Sequence, residues 1–253
     1  MSESESPIQQ LARWIATSHS TVVFTGAGMS TESGIPDFRS PGGIWSRYQP
    51  VYYDDFLASE DARYEYWRQK SEARPEFLAA RPNLGHTILA RWESDSKLRG
   101  VVTQNIDGLH QIAGSRQVLE LHGTMRRVRC LDCQAQYDPE PLFASFLEHD
   151  AVPKCASCSG RLKSDTISFG QSLPEEVLQR AVQWSREADL FLACGSSLVV
   201  QPAASLPALA REHGARLVII NRDPTEQDHL ADLVLHTSIG ETLTQVETLL
   251  QGS

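Results

Sequence analysis

Apolar residues fall into short unbroken runs along this chain: "TVVFT" (21–25), "GVVTQ" (100–104), "VLEL" (118–121), "DLFLAC" (189–194), "RLVII" (216–220) and "DLVLH" (232–236). A strand with one wetted face alternates, so uninterrupted runs of this length predict strands covered on both faces. Helical patterns lie between several of them, at about 84–97, 174–188, 201–213 and 239–251. An earlier helix is predicted from "SPIQ" (6–9) to about Ser18, because a Ser cap, Pro at the first helical position and Gln three residues after the cap mark a helix start. Strand and helix in alternation predict an α/β protein with a Rossmann-like, doubly wound parallel sheet. Two stretches break the alternation: 41–83, with the turn "SPGG" and the aromatic-rich "YEYWRQK", and 126–165, which holds the cysteine pairs. They are expected to be insertions that pack together as a smaller domain, one helical and one a zinc ribbon. The discontinuous larger domain is then 6–40, 84–125 and 166–253.

With 253 residues, 41% hydrophobic and 22% charged, the chain has enough apolar mass for one large core and a small satellite. A net charge of -9 argues against a sequence-independent grip on nucleic acid and suits cationic partners such as lysine-bearing peptides. The longest apolar runs, such as "LVII" (217–220), fall far short of the roughly 20 residues a membrane span requires. The opening "MSESESP" lacks a basic region followed by an apolar one, so a cytoplasmic protein is expected, neither secreted nor inserted.

The cysteines sharpen this picture. Four of the five form two Cys-x-x-Cys pairs, Cys130 with Cys133 and Cys155 with Cys158, separated by 21 residues. Four thiolates at ribbon-like spacing suit a closed tetrahedral zinc site, and with no position left for water the metal would be structural. A redox pair is the competing reading, but doubled pairs outside a thioredoxin-like βαβ context disfavour it. Cys194, alone at a strand end, is expected in the core.

Candidate chemistry collects where strands end. After "TVVFT" comes a loop with Gly26, Ala27 and Gly28, placed as the first two glycines of a dinucleotide fingerprint would be. Thr31 stands at the third position and no acidic residue follows at the usual distance, so a tight structural turn competes with a phosphate cradle. "TQNIDGLH" (103–110) packs Gln, Asn, Asp and His into eight residues at another strand end, and an Asx-type turn is its plain alternative. His122 in "LHGT" follows a third strand, and an imidazole titrating near neutrality suits general-base work.

Taken whole, "GAGMSTESGIPDFRS" (26–40) resembles the signature of the sirtuins, of bacterial type, from its glycines through Ser30, Ser33, Gly34, Ile35, Pro36, Asp37, Phe38 and Arg39. "TQNIDGLH" is similar at every position, and the resemblance spans roughly residues 8–245 in motif order. It implies NAD consumed as a co-substrate by a protein lysine deacetylase, a deacylase releasing nicotinamide, free lysine and O-acyl-ADP-ribose. The implied NAD contacts are Gly26, Ala27, Gly28, Thr31 and Asp37, with Phe38 and Arg39 in a lid. Gln104 would meet the ribose, Asn105 the reacting ribose and its water, and Ile106 with Asp107 the nicotinamide carboxamide. His122 would be the catalytic base, assisted by Asn105 and Asp107. "CGSSLVVQPA" implies further contacts through Gly195, Ser196 and Ser197, "IINRDPT" through Asn221, and Ile239 would approach the adenine. "KSDTISFGQSLP" (163–174) implies a strand edge for an acyl-lysine peptide at Ile167, Phe169 and Gly170. Here Ser164, Thr166 and Gln171 replace the usual Pro, Val and Glu. Members that remove succinyl or malonyl groups carry Tyr-x-x-Arg in the insertion; the correspondence here is Trp67-x-x-Lys70, which favours deacetylation. A mono-ADP-ribosyltransferase on the same fold, an ordinary dehydrogenase and a silent zinc-ribbon binding protein are the other readings.

Overall fold

The computed structural model describes residues 5–37, 42–43 and 46–252. Phe38 and Arg39, expected in the lid, lie outside the described residues. Six strands form one parallel sheet in the order β3-β2-β1-β7-β8-β9: β1 (Thr21–Thr25), β2 (Gly100–Thr103), β3 (Val118–Glu120), β7 (Leu190–Cys194), β8 (Arg216–Ile220) and β9 (Leu233–Leu235). These are the six apolar runs. β1, β2 and β7 are buried at every position, as strands covered on both faces must be.

Successive side chains of each strand feed two different cores. On one face Val23, Val101, Leu192 and Val218 pack with Leu11 and Trp14 of α1 (Pro7–Thr17), Leu89 and Trp92 of α4 (Leu84–Ser94), and Leu243 of α9 (Ile239–Gln251). On the other, Val22, Phe24, Val102 and Phe191 meet Ala181 and Trp184 of α7 (Glu175–Glu187) and Leu206 of α8 (Leu206–Glu212). The cap predicted for α1 is present, with the Ser6 hydroxyl accepting from Gln9 and the Gln9 side chain accepting from Ser6 N–H. Two helices are shorter than their periodicity predicts. α4 stops at Ser94 because Ser96 adopts a left-handed conformation, and the 201–213 segment spends its start on a short 3-10 turn before α8, whose first turn holds Pro207.

The two interrupting stretches share a third core. α2 (Tyr53–Ala58) and α3 (Glu60–Ala79) contribute Phe56, Tyr66 and Trp67; α6 (Pro139–His149) contributes Phe143 and Phe146. Val128, Cys130 and Leu162 come from a three-stranded antiparallel sheet ordered β5-β4-β6, with β4 at Gly123–Cys130, β5 at Gln136–Tyr137 and β6 at Leu162–Thr166. β4 follows β3 after two residues and so links the parallel sheet to this smaller one. Among the described residues, no helix is long and apolar enough to cross a membrane.

Candidate functional site

β1, β2 and β7 end level, since Thr25 pairs with Thr103 on one side and with Cys194 on the other. The strand order reverses between β1 and β7, the crevice where open α/β sheets bind nucleotides. The loops leaving these two strands touch there. Gly28 N–H donates to Gly195 O at 2.8 Å, and a Cβ on Gly28 would come within 2.8 Å of Gly195 Cα. Gly195 is left-handed at φ 66°, and its own Cβ would meet Met29 N at 2.4 Å. The glycines are therefore fixed first by the approach of one loop to the other, and this approach brings Ala27, Thr31, Ser196 and Ser197 to one edge. Ile239 lies beside Gly195, and Glu32 anchors the loop to the start of α9 by accepting from Gly240 N–H at 3.1 Å. Asn221 follows β8, its side chain donating to Asp223 O at 2.7 Å, while Asp37 is the last described residue before position 42.

A buried polar cluster sits beneath this edge. Asn105 and Asp107 are each 7% exposed and Ser30 1%. Asn105 Nδ2 donates to Gly26 O at 2.9 Å and Ser30 Oγ at 3.2 Å; Ser30 Oγ donates to Asp107 Oδ2 at 2.7 Å. Leu109 N–H holds the other carboxylate oxygen at 2.8 Å, and Ser196 Oγ ties Gln104 Oε1 at 2.8 Å. Two contributors escaped the sequence reading as site residues. Ser30 links Asn105 to Asp107, and Asn83, which caps α4, donates to Met29 O at 2.8 Å and so fixes the glycine loop. Ser30 stood inside the quoted signature; Asn83 is 50 residues from its partner Ser33 and gave no local signal.

His122 lies against the same cluster. Its Nδ1 is 3.0 Å from Gln104 O, and a carbonyl only accepts, so Nδ1 carries the proton and Nε2 keeps its lone pair. Burial depresses the imidazole below its ordinary value, and the Gln104 carbonyl partly offsets this. His110 instead reaches Thr25 Oγ1 at 3.0 Å from within the fold, and burial drives its value well down. It is a buried neighbour of His86, with ring centroids 4.8 Å apart.

The backbone carbonyl of His122 accepts from Ile167 N–H at 2.9 Å, placing the 167–171 edge beside the imidazole. Phe169 there is 39% exposed and Gly170 is left-handed at φ 82°. Trp67 is elsewhere: fully buried, it packs on Phe143 at 4.7 Å and donates to Leu162 O at 3.2 Å. The structure therefore puts this indole in the smaller core instead of an open acyl pocket. Lys70 Nζ stands 5.6 Å from the Tyr66 ring centre, and burial lowers it to about 8. Lys163 approaches the same ring at 5.2 Å, donates to Thr166 O, and is lowered to about 7, first by burial and then by Lys70.

The thiols of Cys130, Cys133, Cys155 and Cys158 lie within 4.8 Å of one another. Cys130 to Cys158 is 3.6 Å and Cys133 to Cys155 3.5 Å, far beyond a disulfide bond and close to the edge of about 3.8 Å that a tetrahedron with 2.3 Å Zn–S bonds requires. The quartet fits a structural zinc ion. Cys194 is fully buried in the main core.

Residues 26–202 match the model of the Sir2 family. A protein of Rhodopseudomonas palustris named NAD-dependent protein deacetylase is 50% identical over 240 residues, covering 94% of this chain and 95% of its own. Among solved structures, a Sir2 protein with a p53 peptide and NAD+ superposes with a TM-score of 0.89 at 37% identity, covering 97% of this chain and 99% of that one. A Sir2 histidine-to-alanine variant with deacetylated p53 peptide and 3'-O-acetyl-ADP-ribose gives 0.90 at 38% identity, covering 96% and 98%.

Proposed function

The chain belongs to the Sir2 family and is an NAD-dependent protein deacylase, and from that premise we propose how its own residues divide the work. NAD supplies a ribose carbon open to attack and a pyridine leaving group. The Gly26–Gly28 and Gly195–Ser197 loops, with Thr31, Asp37, Gln104, Asn221 and Ile239, bind and extend the nucleotide along the strand ends. Asp107, with Ile106, takes the carboxamide; Asn105 orients the ribose and its water. Phe38 and Arg39, which lie outside the described residues, complete the set of NAD contacts. The peptide adds to the edge at Ile167, Phe169 and Gly170, beside His122. His122 Nε2 takes the proton of a ribose hydroxyl after nicotinamide has left. The larger unit (6–40, 84–125, 166–253) holds the nucleotide, while 41–83 and 126–165 form the smaller one.

The observation that carries this reading is the bond from His122 Nδ1–H to Gln104 O, within one residue of Asn105, with the His122 backbone carbonyl accepting from Ile167 N–H. Nicotinamide release from NAD that depends on an acyl-lysine peptide tests it. Release without peptide, or accumulation of NADH, would replace it with a hydrolase or a dehydrogenase. ADP-ribose found on the peptide by mass spectrometry would make it a transferase to protein. Four cysteines arranged for a metal suit a reducing compartment, and we place the protein in the cytoplasm.

His122 also fixes the pH dependence. Its depressed value means the folded protein holds it neutral, and so active as a base, from alkaline pH down past 6.5, the ordinary value. The acid limb of kcat/KM should therefore lie below 6.5 and disappear from the residual rate of a His122 variant. A limb centred above 6.5 would assign the base elsewhere.

For the acyl group we propose acetyl. A guanidinium grips a carboxylate through two parallel bonds, whereas the amine of Lys70, already lowered toward neutrality, offers a single charge that weakens as pH rises through about 8. Turnover of acetyl-lysine peptide should exceed that of the succinyl-lysine peptide at least tenfold, the difference between a specific pocket and a tolerated group. A succinyl rate above the acetyl rate would assign the Lys70 and Lys163 amines to an acidic acyl group.

A further inference from the structure

The segment Ile106–Gly108 joins β2 to α5 (Leu109–Ala113) and is held from outside by two consecutive residues of β4. Met125 N–H donates to Ile106 O at 2.9 Å and Arg126 Nε to Asp107 O at 3.0 Å. Between them Gly108 is left-handed at φ 71°, and a Cβ there would lie 2.2 Å from Arg126 Nε and 2.6 Å from its Cδ. The arginine thus lies flat across the bare backbone of residue 108, which only glycine leaves open.

Charge pairing does not account for Arg126. Arg127 bonds to Asp165 and Arg74 to Glu140, yet among the described residues Arg126 forms no ion pair. Its guanidinium instead faces a cavity of about 680 Å³ with Gln111, Glu120 and Arg127 in the wall. A long cation spent on one backbone carbonyl, in a slot cut for it, is a device for fixing that peptide unit. The carbonyl it fixes belongs to Asp107, whose carboxylate is aimed inward at Ser30.

We propose that Arg126, interlocked with Gly108, is a positioning residue of the reaction: it sets the Asp107–Gly108 peptide, next to the Ile106–Asp107 peptide that Met125 N–H holds, so that the Asp107 carboxylate and Ile106 backbone meet the departing carboxamide. This rests on the reading of Asp107 given above. Arg126→Ala should raise KM for NAD and weaken nicotinamide inhibition about three- to tenfold, the worth of one typical hydrogen bond, with KM for the acyl peptide unchanged. Arg126→Met keeps the methylene cover over Gly108 but has no donor, so it should behave as Arg126→Ala does. Gly108→Ala should also raise KM for NAD, and a double-mutant cycle with Arg126→Ala should be markedly non-additive, because the overlap disappears with the side chain. Wild-type KM for NAD in Arg126→Met, equal rises in both KM values, or additivity would overturn the proposal. A wild-type protein without peptide-dependent nicotinamide release would sink the functional reading instead, so the two failures are distinct.

Discussion

Cys155→Ser should release the zinc and unfold the region built from 41–83 and 126–165, while the parallel sheet persists. The expectation follows from how little else closes that region. β5 has two residues, and beyond the thiols the segment from 150 to 161 is tied to the rest by a handful of polar contacts, among them Leu131 N–H to Arg161 O, Tyr64 to Asp150 and the Arg161–Asp132 pair, with Val152 packed on the core. That pair is half-exposed and screened by solvent, so it holds the segment only weakly. Cys130 and Cys155 are themselves part of the core with Trp67, Phe143 and Phe146, so loss of the metal leaves thiols and ring edges without their common anchor. Structural zinc contributes on the order of 10–16 kcal/mol in small domains, comparable to the whole stability of a typical one. Metal analysis of the variant should show no bound zinc, and a thermal scan should show an early transition separate from that of the sheet. Full zinc content with an unaltered melting curve would mean the four thiols do not hold a metal.

The main sheet was legible in the sequence because its central strands β1, β2 and β7 are buried on both faces and left continuous apolar runs, while the edge strands β3 and β9, only partly buried, kept shorter ones. The antiparallel sheet was not. β4 carries Arg127 and Arg129 pointed at Asp165, and β6 buries Lys163 and Ser164, so neither shows an apolar signal; their pairing is a tertiary fact, not a local pattern. The same contrast holds at the site. Gln104, Asn105 and Asp107 stood out because polar residues crowd one strand end, and His122 followed a third strand. Whether Trp67 faced a pocket or a core depended on Phe143 and Phe146, some 80 residues away, which periodicity within α3 does not report. The glycines were readable as a turn, but their main constraint, contact with Gly195, belongs to the packing of two loops.

His122→Ala should lower acyl-lysine turnover about 10²- to 10⁴-fold, the range a positioned general base supplies, and leave the fold intact. The side chain makes one described hydrogen bond, to Gln104 O at the open strand ends, and water replaces it there, so the stability cost is on the order of 1 kcal/mol. Nothing in the strand-end cluster substitutes for it. His110 and His86 are buried and near each other, with His110 Nε2 committed to Thr25 Oγ1, and the Asp107 carboxylate already accepts from Ser30 and Leu109. Because the base acts only after nicotinamide has departed, exchange of labelled nicotinamide into NAD in the presence of acyl peptide should survive in the variant while O-acyl-ADP-ribose formation does not. Those two assays on one protein separate a missing base from a damaged binding site, since a collapsed site would lose both. Near-normal deacylation by His122→Ala would remove the imidazole from the mechanism and reassign the proton transfer to water.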